Sequence, residues 1–113
     1  MYDINNIFAK IIRKEIPSTP IYEDDQIIAF HDLHPVAPIH ALVIPKGSYT
    51  DYSDFISTAP VATQTYFFKK VADLAKELCG EHFRLCTNNG AISGQTIFHF
   101  HVHIMGGKQL GGL

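Results

Sequence analysis

Three histidines near the end of the chain alternate with apolar residues in the stretch TIFHFHVHIMGG, residues 96–107. Because successive side chains of a β-strand point to opposite faces, this spacing predicts one strand with His99, His101 and His103 on one face and hydrophobic side chains on the other. Alternate residues of a strand lie about 6.7 Å apart, so neighbouring rings can converge on one small group. Each imidazole has two ring nitrogens that need hydrogen-bond partners, and a buried nitrogen without a partner costs free energy of folding. Three histidines on one face are therefore unfavourable in a strand that has only a structural role. The pattern therefore indicates a functional site.

Length and composition limit the class of protein. We expect the 113 residues to form a single domain, residues 1–113. A formal net charge of −2 argues against binding the phosphates of a long nucleic acid. The first residues lack the basic start and apolar run of a signal peptide, and no stretch approaches the roughly 18 apolar residues of a membrane span. We expect a soluble, cytoplasmic protein with no nucleic-acid or membrane partner, and with Cys79 and Cys86 as buried thiols or a bridged pair.

The positions of apolar residues, prolines and glycines predict five strands and two helices. A short helix is expected over residues 6–14, and a long one over residues 59–79, with Ser57 or Thr58 as its N-cap, Pro60 in its first turn and Gly80 as its stop. The strands are expected at Ile21-Tyr22, IIAFHD, ALVIPK, HFRLCTN and the histidine stretch, and residues 46–58 are expected to form a loop. The short connections between consecutive strands favour an α+β domain with an antiparallel sheet.

The long predicted helix has a wider apolar arc than packing on one sheet face requires. It carries two adjacent stripes, one of Phe67, Val71, Leu74 and Leu78, the other of Val61, Phe68, Ala72, Ala75 and Cys79. The surplus predicts a contact between identical subunits, and because such contacts are usually two-fold, it predicts a homodimer. The alternative is that both stripes are buried within one subunit.

Two kinds of site suit three histidines on one face of a strand. Three neutral imidazoles with an open fourth position describe a catalytic zinc site. Alternatively, one neutral imidazole attacks phosphorus while its neighbours hold the phosphate oxygens. No Asp or Glu follows Glu81, although carboxylates are favoured partners of metal-bound histidines, and the loop NNGAISGQT supplies donors suited to phosphate. These observations favour phosphate and leave zinc open.

The motif HFHVHIM resembles the signature of the histidine-triad superfamily. Further segments resemble its Hint branch, namely IFAKIIRKEIP, YEDDQIIAFHDLHPVAPIHALVIPK, NNG, SGQT and MGG. The resemblance covers nearly the whole chain and implies a HIT-like antiparallel sheet of about five strands with one long and one short helix. It also implies a purine nucleoside phosphoramidase or related nucleotide hydrolase. Such enzymes typically cleave phosphoramidates of adenosine monophosphate through a covalent nucleotidyl-histidine, without a metal or cofactor.

The same resemblance implies roles for individual residues. His101 matches the nucleophile, His99 and His103 flank it, and His40 completes the cluster. Thr96 stands where many relatives have serine and keeps a hydroxyl that can donate to the leaving group. The implied nucleotide-binding residues are Asp32 at the ribose, Leu33, Phe8, Ile11 and Phe30 around the purine, and Asn88, Gly94, Gln95, Thr96, His101, Val102 and His103 around the phosphate and leaving group.

Two other functions are compatible with the same residues. A non-enzymatic adenine-nucleotide-binding or scaffolding protein would keep the cleft without turnover, and a zinc-dependent hydrolase would lose activity on chelation. We expect His31, His34 and His82 to be surface or structural residues. The chain stops soon after its double glycine, whereas many Hint relatives continue with bulky residues that reach the partner's site, which leaves the leaving group open.

Overall fold

A five-stranded antiparallel sheet organises the computed structural model, which describes all residues 1–113. The strands are β1 (Tyr22–Glu23), β2 (Ile27–His31), β3 (Ile39–Pro45), β4 (Phe83–Cys86) and β5 (Val102–Gly106). They lie side by side in the order β1-β2-β3-β5-β4, and every neighbouring pair is antiparallel. The helices are α1 (Ile7–Ile12), α2 (Tyr52–Thr58) and α3 (Val61–Cys79). The predicted α+β class and five-stranded sheet are confirmed, with one helix more than predicted.

Both faces of the sheet are covered, because alternate residues of its central strands pack against different helices. On one face, Ala29 and Val43 join a core cluster with side chains of α2 and α3. On the other face, Phe30 and Leu42 pack with Phe8 of α1. Strands buried on both faces are apolar throughout, which is why β2 and β3 do not alternate in the sequence. The histidines lie on the face that α1 covers.

The histidine stretch forms a strand only in its second half. The ladder of β5 begins at Val102, whereas the sequence predicts a strand over residues 96–107. Continuing the register between β3 and β5 would place Pro45 opposite Phe100, and proline has no N–H to donate to the ladder. The Phe100 N–H bonds instead to the carbonyl of Tyr49, at 2.7 Å. The alternation still separates the side chains, because Phe100 and Val102 enter the cluster on the α3 face while His101 lies against Phe8.

Helix α2 occupies part of a region that was predicted to be a loop. Its N-cap is Asp51, whose side chain accepts the Asp54 N–H at 2.8 Å. Only Phe55 is buried along its seven residues, so the segment lacks the repeated apolar positions that reveal a longer helix. The capping aspartate was the available signal, since Asp is a preferred N-cap residue.

The start of α3 also differs from the prediction. Ser57 and Thr58 belong to α2, and Pro60 takes the N-cap position of α3 without a capping side-chain bond. Gly80 ends the helix with a positive φ of 74°, as predicted. Although α3 has 19 residues, no helix combines the length and apolar character needed to cross a membrane. Both cysteines are free thiols.

Candidate active site

A cleft of about 420 Å³ opens beside the histidines, between α1, the end of β2 and the loop that joins β4 to β5. Its apolar lining consists of Ile7, Phe8, Ile11, Phe30, Leu33, Leu42 and Ile97. Its polar lining consists of Asp32, His34, Asn88, Gly94, Gln95, Thr96, His101 and His103. A larger depression of about 720 Å³ lies between the end of α3 and the C-terminal residues and contains none of the three alternating histidines.

The cleft contains most of the residues expected to bind a nucleotide. Val102 is the exception, because it points into the core on the opposite face of the sheet. Sequence reasoning missed four lining residues, Ile7, His34, Leu42 and Ile97. Leu42 could have been found, since it is paired with Phe30 in the register and shares its face. His34 is exposed, as expected, but it also lies at the mouth of the cleft.

The hydrogen bonds of His101 determine which of its nitrogens carries the proton. Its Nδ1 lies 2.7 Å from the carbonyl oxygen of His99. A carbonyl only accepts, so Nδ1 carries the proton and Nε2 of the neutral ring keeps its lone pair. Burial lowers the pKa of His101 below its ordinary value, against the opposing effects of this hydrogen bond and of Asp32. His101 therefore lines the cleft as a neutral ring with a nucleophilic nitrogen.

A second chain of contacts determines the protonation of His103. The Val36 N–H donates to Nδ1 of His40 at 3.1 Å, so a neutral His40 carries its proton on Nε2. That N–H donates to Nδ1 of His103 at 2.9 Å, which leaves the proton of His103 on its own Nε2. Burial lowers the pKa of His103 to about 4, helped by the like charges of His101 and His40 and opposed by Asp32. His103 is thus a neutral donor, with its ring centroid 5.1 Å from that of His101.

The same contacts bear on the two metal sites that the side chains suggest. Donor atoms of Asp32, His40 and His103 lie within 4.8 Å of one another, close enough to share an ion. The proton of His40 lies on Nε2, so a metal could bind this nitrogen only if the proton were lost or moved to Nδ1. The second change would break the hydrogen bond from the Val36 N–H. A site built on the three alternating histidines would also need a free nitrogen on His99, and that ring has none. The hydrogen bonds therefore favour phosphate chemistry.

His99 was expected to be catalytic, but the structure places it outside the lining of the cleft. Its ring is fully buried, with Nε2 donating to the carbonyl of Pro45 at 2.7 Å and Nδ1 accepting from the Tyr2 hydroxyl at 2.5 Å. Tyr2 lies 97 residues away in the chain, so nothing in the local sequence pattern signals this contact. His99 acts on the site through its carbonyl, which holds the His101 ring.

We expect the fold to lose stability as the pH falls from about 6.5 to 4. Burial lowers the pKa of His99 to about 4, whereas an unfolded histidine titrates near 6.5. Between these values the unfolded chain binds more protons, so acid favours unfolding; above 6.5 the ring is neutral in both states and the effect vanishes. This one ring accounts for roughly 3 kcal/mol at pH 4. Urea unfolding across this range checks the loss, and a His99→Gln variant with an unchanged pH slope would contradict it.

Gln95 was expected to contact the nucleotide, but its side chain is buried and fully engaged with the protein. Its Oε1 accepts the Gly90 N–H at 2.8 Å, and its Nε2 donates to the carbonyls of Thr50 at 2.9 Å and Ile97 at 3.1 Å. Both amide hydrogens are used, so no side-chain donor is left for a ligand. Gln95 instead holds the shape of the loop that lines the cleft.

Two other loop residues, Asn88 and Thr96, bring polar side chains to the cleft. Gly94 contributes space instead of a donor, because its N–H donates to the carbonyl of Ala91 at 3.0 Å. It has a φ of 103°, a conformation that side chains disfavour, and a β-carbon at this position would lie 3.8 Å from the amide of Asn88. Thr96 is exposed at the edge of the cleft. The Asn88 amide, the Thr96 hydroxyl and the ring N–H of His103 are neutral donors that line the same cleft as His101.

Comparison with known proteins identifies the family. A model of the HIT domain matches residues 13–110. An uncharacterized HIT-like protein of Rickettsia prowazekii is 56% identical over 115 residues, which cover 100% of this chain and 96% of that protein. The structure of a HIT family hydrolase from Clostridium thermocellum is 38% identical, with a TM-score of 0.86 and 96% of each chain covered. A histidine triad protein from Clostridium difficile is 39% identical, with a TM-score of 0.84, covering 100% of this chain and 99% of the other. The chain belongs to the HIT-domain family.

Proposed function

We propose that this protein is a cytoplasmic nucleotide hydrolase of the Hint type, which cleaves the phosphorus–nitrogen bond of purine nucleoside phosphoramidates. The observation that carries the proposal is the hydrogen bond from Nδ1 of His101 to the His99 carbonyl, because it leaves the lone pair of Nε2 for attack on phosphorus. The relative from Clostridium thermocellum is named a hydrolase, which agrees with this reaction class.

The shape of the cleft suits a nucleoside monophosphate. Aromatic and aliphatic side chains form one wall, suited to a purine ring, with Phe8 and Phe30 packed edge to face. Asp32 uses Oδ1 to accept the His34 N–H at 2.8 Å, so that Oδ2 has capacity left for ribose hydroxyls. The phosphorus would then lie between the base wall and His101.

The proposed reaction has two displacements at phosphorus. In the first, Nε2 of His101 forms a bond to phosphorus as the phosphorus–nitrogen bond breaks, and the departing amine takes a proton from solvent that the exposed Thr96 hydroxyl relays. The Nε2–H of His103 donates to a non-bridging oxygen as charge shifts onto it. In the second, water attacks phosphorus and releases a proton to solvent, which balances the proton taken by the amine. The bond to His101 breaks, and the nucleoside monophosphate leaves with a neutral His101. No step requires a metal ion.

The charge of the cleft supports a phosphoramidate over a polyphosphate. The lining contains no Lys or Arg, and its one carboxylate repels anions. A nucleoside phosphoramidate, with one ester bond and one phosphorus–nitrogen bond, carries a single negative charge at phosphorus, which neutral donors can hold. Further phosphates would add negative charges with no cationic partner, and an unpaired charge in a desolvated site costs several kcal/mol.

An assay of two substrates tests this function. We expect the enzyme to release a fluorescent amine from its adenosine 5′-phosphoramidate. The kcat/KM for this reaction should be at least about 100-fold above that for hydrolysis of ATP, because an uncompensated charge that costs about 3 kcal/mol lowers the rate by that factor. Quenching in alkaline denaturant, which preserves the acid-labile phosphorus–nitrogen bond to histidine, followed by mass spectrometry, should find adenylate on His101. Binding of adenosine monophosphate without turnover would support the scaffolding alternative, and loss of turnover on chelation would support the zinc hydrolase.

We also propose that two copies associate through α3 and the outer edge of β4. One predicted stripe of α3 is largely buried, as Phe67 shows. In the other stripe Ala75 is buried, whereas Phe68 and Val61 are 39% and 78% exposed. Leu85 of β4 is 45% exposed, and β4 pairs only with β5, so its outer edge presents unpaired backbone groups. An apolar surface beside an open strand edge suits a second copy of the chain.

We expect light scattering at micromolar concentration to give twice the mass of one chain. A Leu85→Lys variant should shift the mass towards one chain, because it places a charge in the apolar contact. Ile92→Lys, at an exposed position on the loop between β4 and β5, is the matched control and should leave the mass unchanged. A wild-type mass of one chain would contradict the dimer.

A further inference from the structure

We propose that Thr87 is a positioning residue for the nucleophile, through a hydrogen bond from its hydroxyl to the carbonyl oxygen of His101. The two oxygens lie 2.7 Å apart. Thr87 does not line the cleft, and its part in the reaction rests on the proposed function. The bond itself is a property of the fold and can be tested without turnover.

The bond lies where the regular sheet ends. The ladder between β4 and β5 has Cys86 opposite His103 as its last pair, and β5 begins at Val102. His101 therefore stands one residue outside the strand that carries His103. The Thr87 hydroxyl supplies a fixed contact to its main chain at the point where ladder bonds stop.

Two hydrogen bonds thus hold the nucleophilic residue from different directions. The His99 carbonyl holds the imidazole through Nδ1, and Thr87 holds the backbone that carries the ring. Either contact alone leaves a rotation free, because a ring hydrogen bond does not fix the α-carbon and a backbone bond does not fix the side-chain torsions. Thr87 also precedes Asn88, which lines the cleft, so the contact ties His101 to the loop on the phosphate side.

A positioning role predicts a particular kinetic signature. Displacement of a reacting group by about 1 Å can cost about 100-fold in rate even when binding is intact. We expect Thr87→Val, which keeps the shape but removes the donor, to lower kcat by 10-fold to 100-fold and to change KM by less than about threefold. Thr87→Ser keeps the hydroxyl and should restore at least half of the wild-type kcat.

A matched control and a spectroscopic measurement separate positioning from general damage. Thr19→Val makes the same change at an exposed site between α1 and β1 and should behave as wild type. Nitrogen-15 NMR of labelled histidine should show distinct Nδ1 and Nε2 shifts for His101 in the wild type, since only Nδ1 is protonated. In Thr87→Val these shifts should move towards each other as the ring samples its other tautomer. If Thr87→Val fails to fold, Thr87→Ala takes its place with the same expectations.

The outcomes distinguish this inference from the proposed function. A Thr87→Val enzyme with kcat within twofold of wild type, or a Thr87→Ser enzyme as impaired as Thr87→Val, overturns the positioning role. If the wild type does not cleave the phosphoramidate, the proposed function fails, and the NMR comparison alone decides the role of Thr87. A His101 spectrum identical in wild type and Thr87→Val then overturns it.

Discussion

Replacing His101 with alanine should abolish turnover of an adenosine phosphoramidate, with kcat lowered by about 10⁴-fold or more. The variant removes the only ring in the cleft whose Nδ1 donates to a backbone carbonyl and whose Nε2 is therefore free. Neither neighbouring ring can replace it. The nitrogens of His99 are both engaged, and His103 carries its proton on Nε2, its Nδ1 being engaged by His40.

His101→Gly extends this test, because the smaller residue leaves space for free imidazole to act as the nucleophile. We expect added imidazole to restore measurable turnover in His101→Gly. His82→Ala, at an exposed site away from the cleft, is the matched control and should retain wild-type kcat. Turnover by His101→Ala within 10-fold of wild type would contradict the nucleophile assignment, whatever the behaviour of the other variants.

Much of the site follows from periodicity, since alternation is a property of the strand itself. The separation of Phe100 from His101 and His103 onto two faces could be predicted because side chains alternate in extended backbone, with or without a ladder. The extent of the ladder could not, because it depends on what lies opposite. That Pro45 lies opposite Phe100 follows from the register between β3 and β5, and the sequence does not predict this register, because the two strands are distant in the chain.

Residue types alone did not reveal how each polar group is used. Gln95 and His99 both look like ligand-binding residues in a motif, yet the polar atoms of both side chains are engaged within the protein. Gln95 bonds to two groups of its own loop and to distant Thr50, and both partners of His99 are distant in the chain. Conversely, Thr87 carries no motif signal, and its contact with His101 exists only because β4 and β5 pair. The cleft could be predicted from family resemblance, but the protonation of its rings required the hydrogen bonds.

His103→Ala should have the second-largest effect, lowering kcat by about 100-fold to 1,000-fold while adenosine monophosphate binds within about 10-fold of its wild-type affinity. The variant removes one neutral N–H donor aimed at the phosphate oxygens, and the loss of a single such donor has this magnitude in related acyl-transfer sites. The effect falls on kcat because charge grows on those oxygens as the phosphorus–nitrogen bond breaks.

The contacts of His40 allow a sharper version of this test. A His40→Phe variant keeps the buried ring but removes the N–H that directs the proton of His103 onto Nε2. His103 can then place its proton on Nδ1, which lies 4.0 Å from the Asp32 carboxylate, and present an acceptor to the phosphate instead of a donor. We therefore expect His40→Phe to show much of the kcat loss of His103→Ala, and the double variant to show little more than either alone. Losses that multiply in the double variant would mean that His40 acts independently of His103.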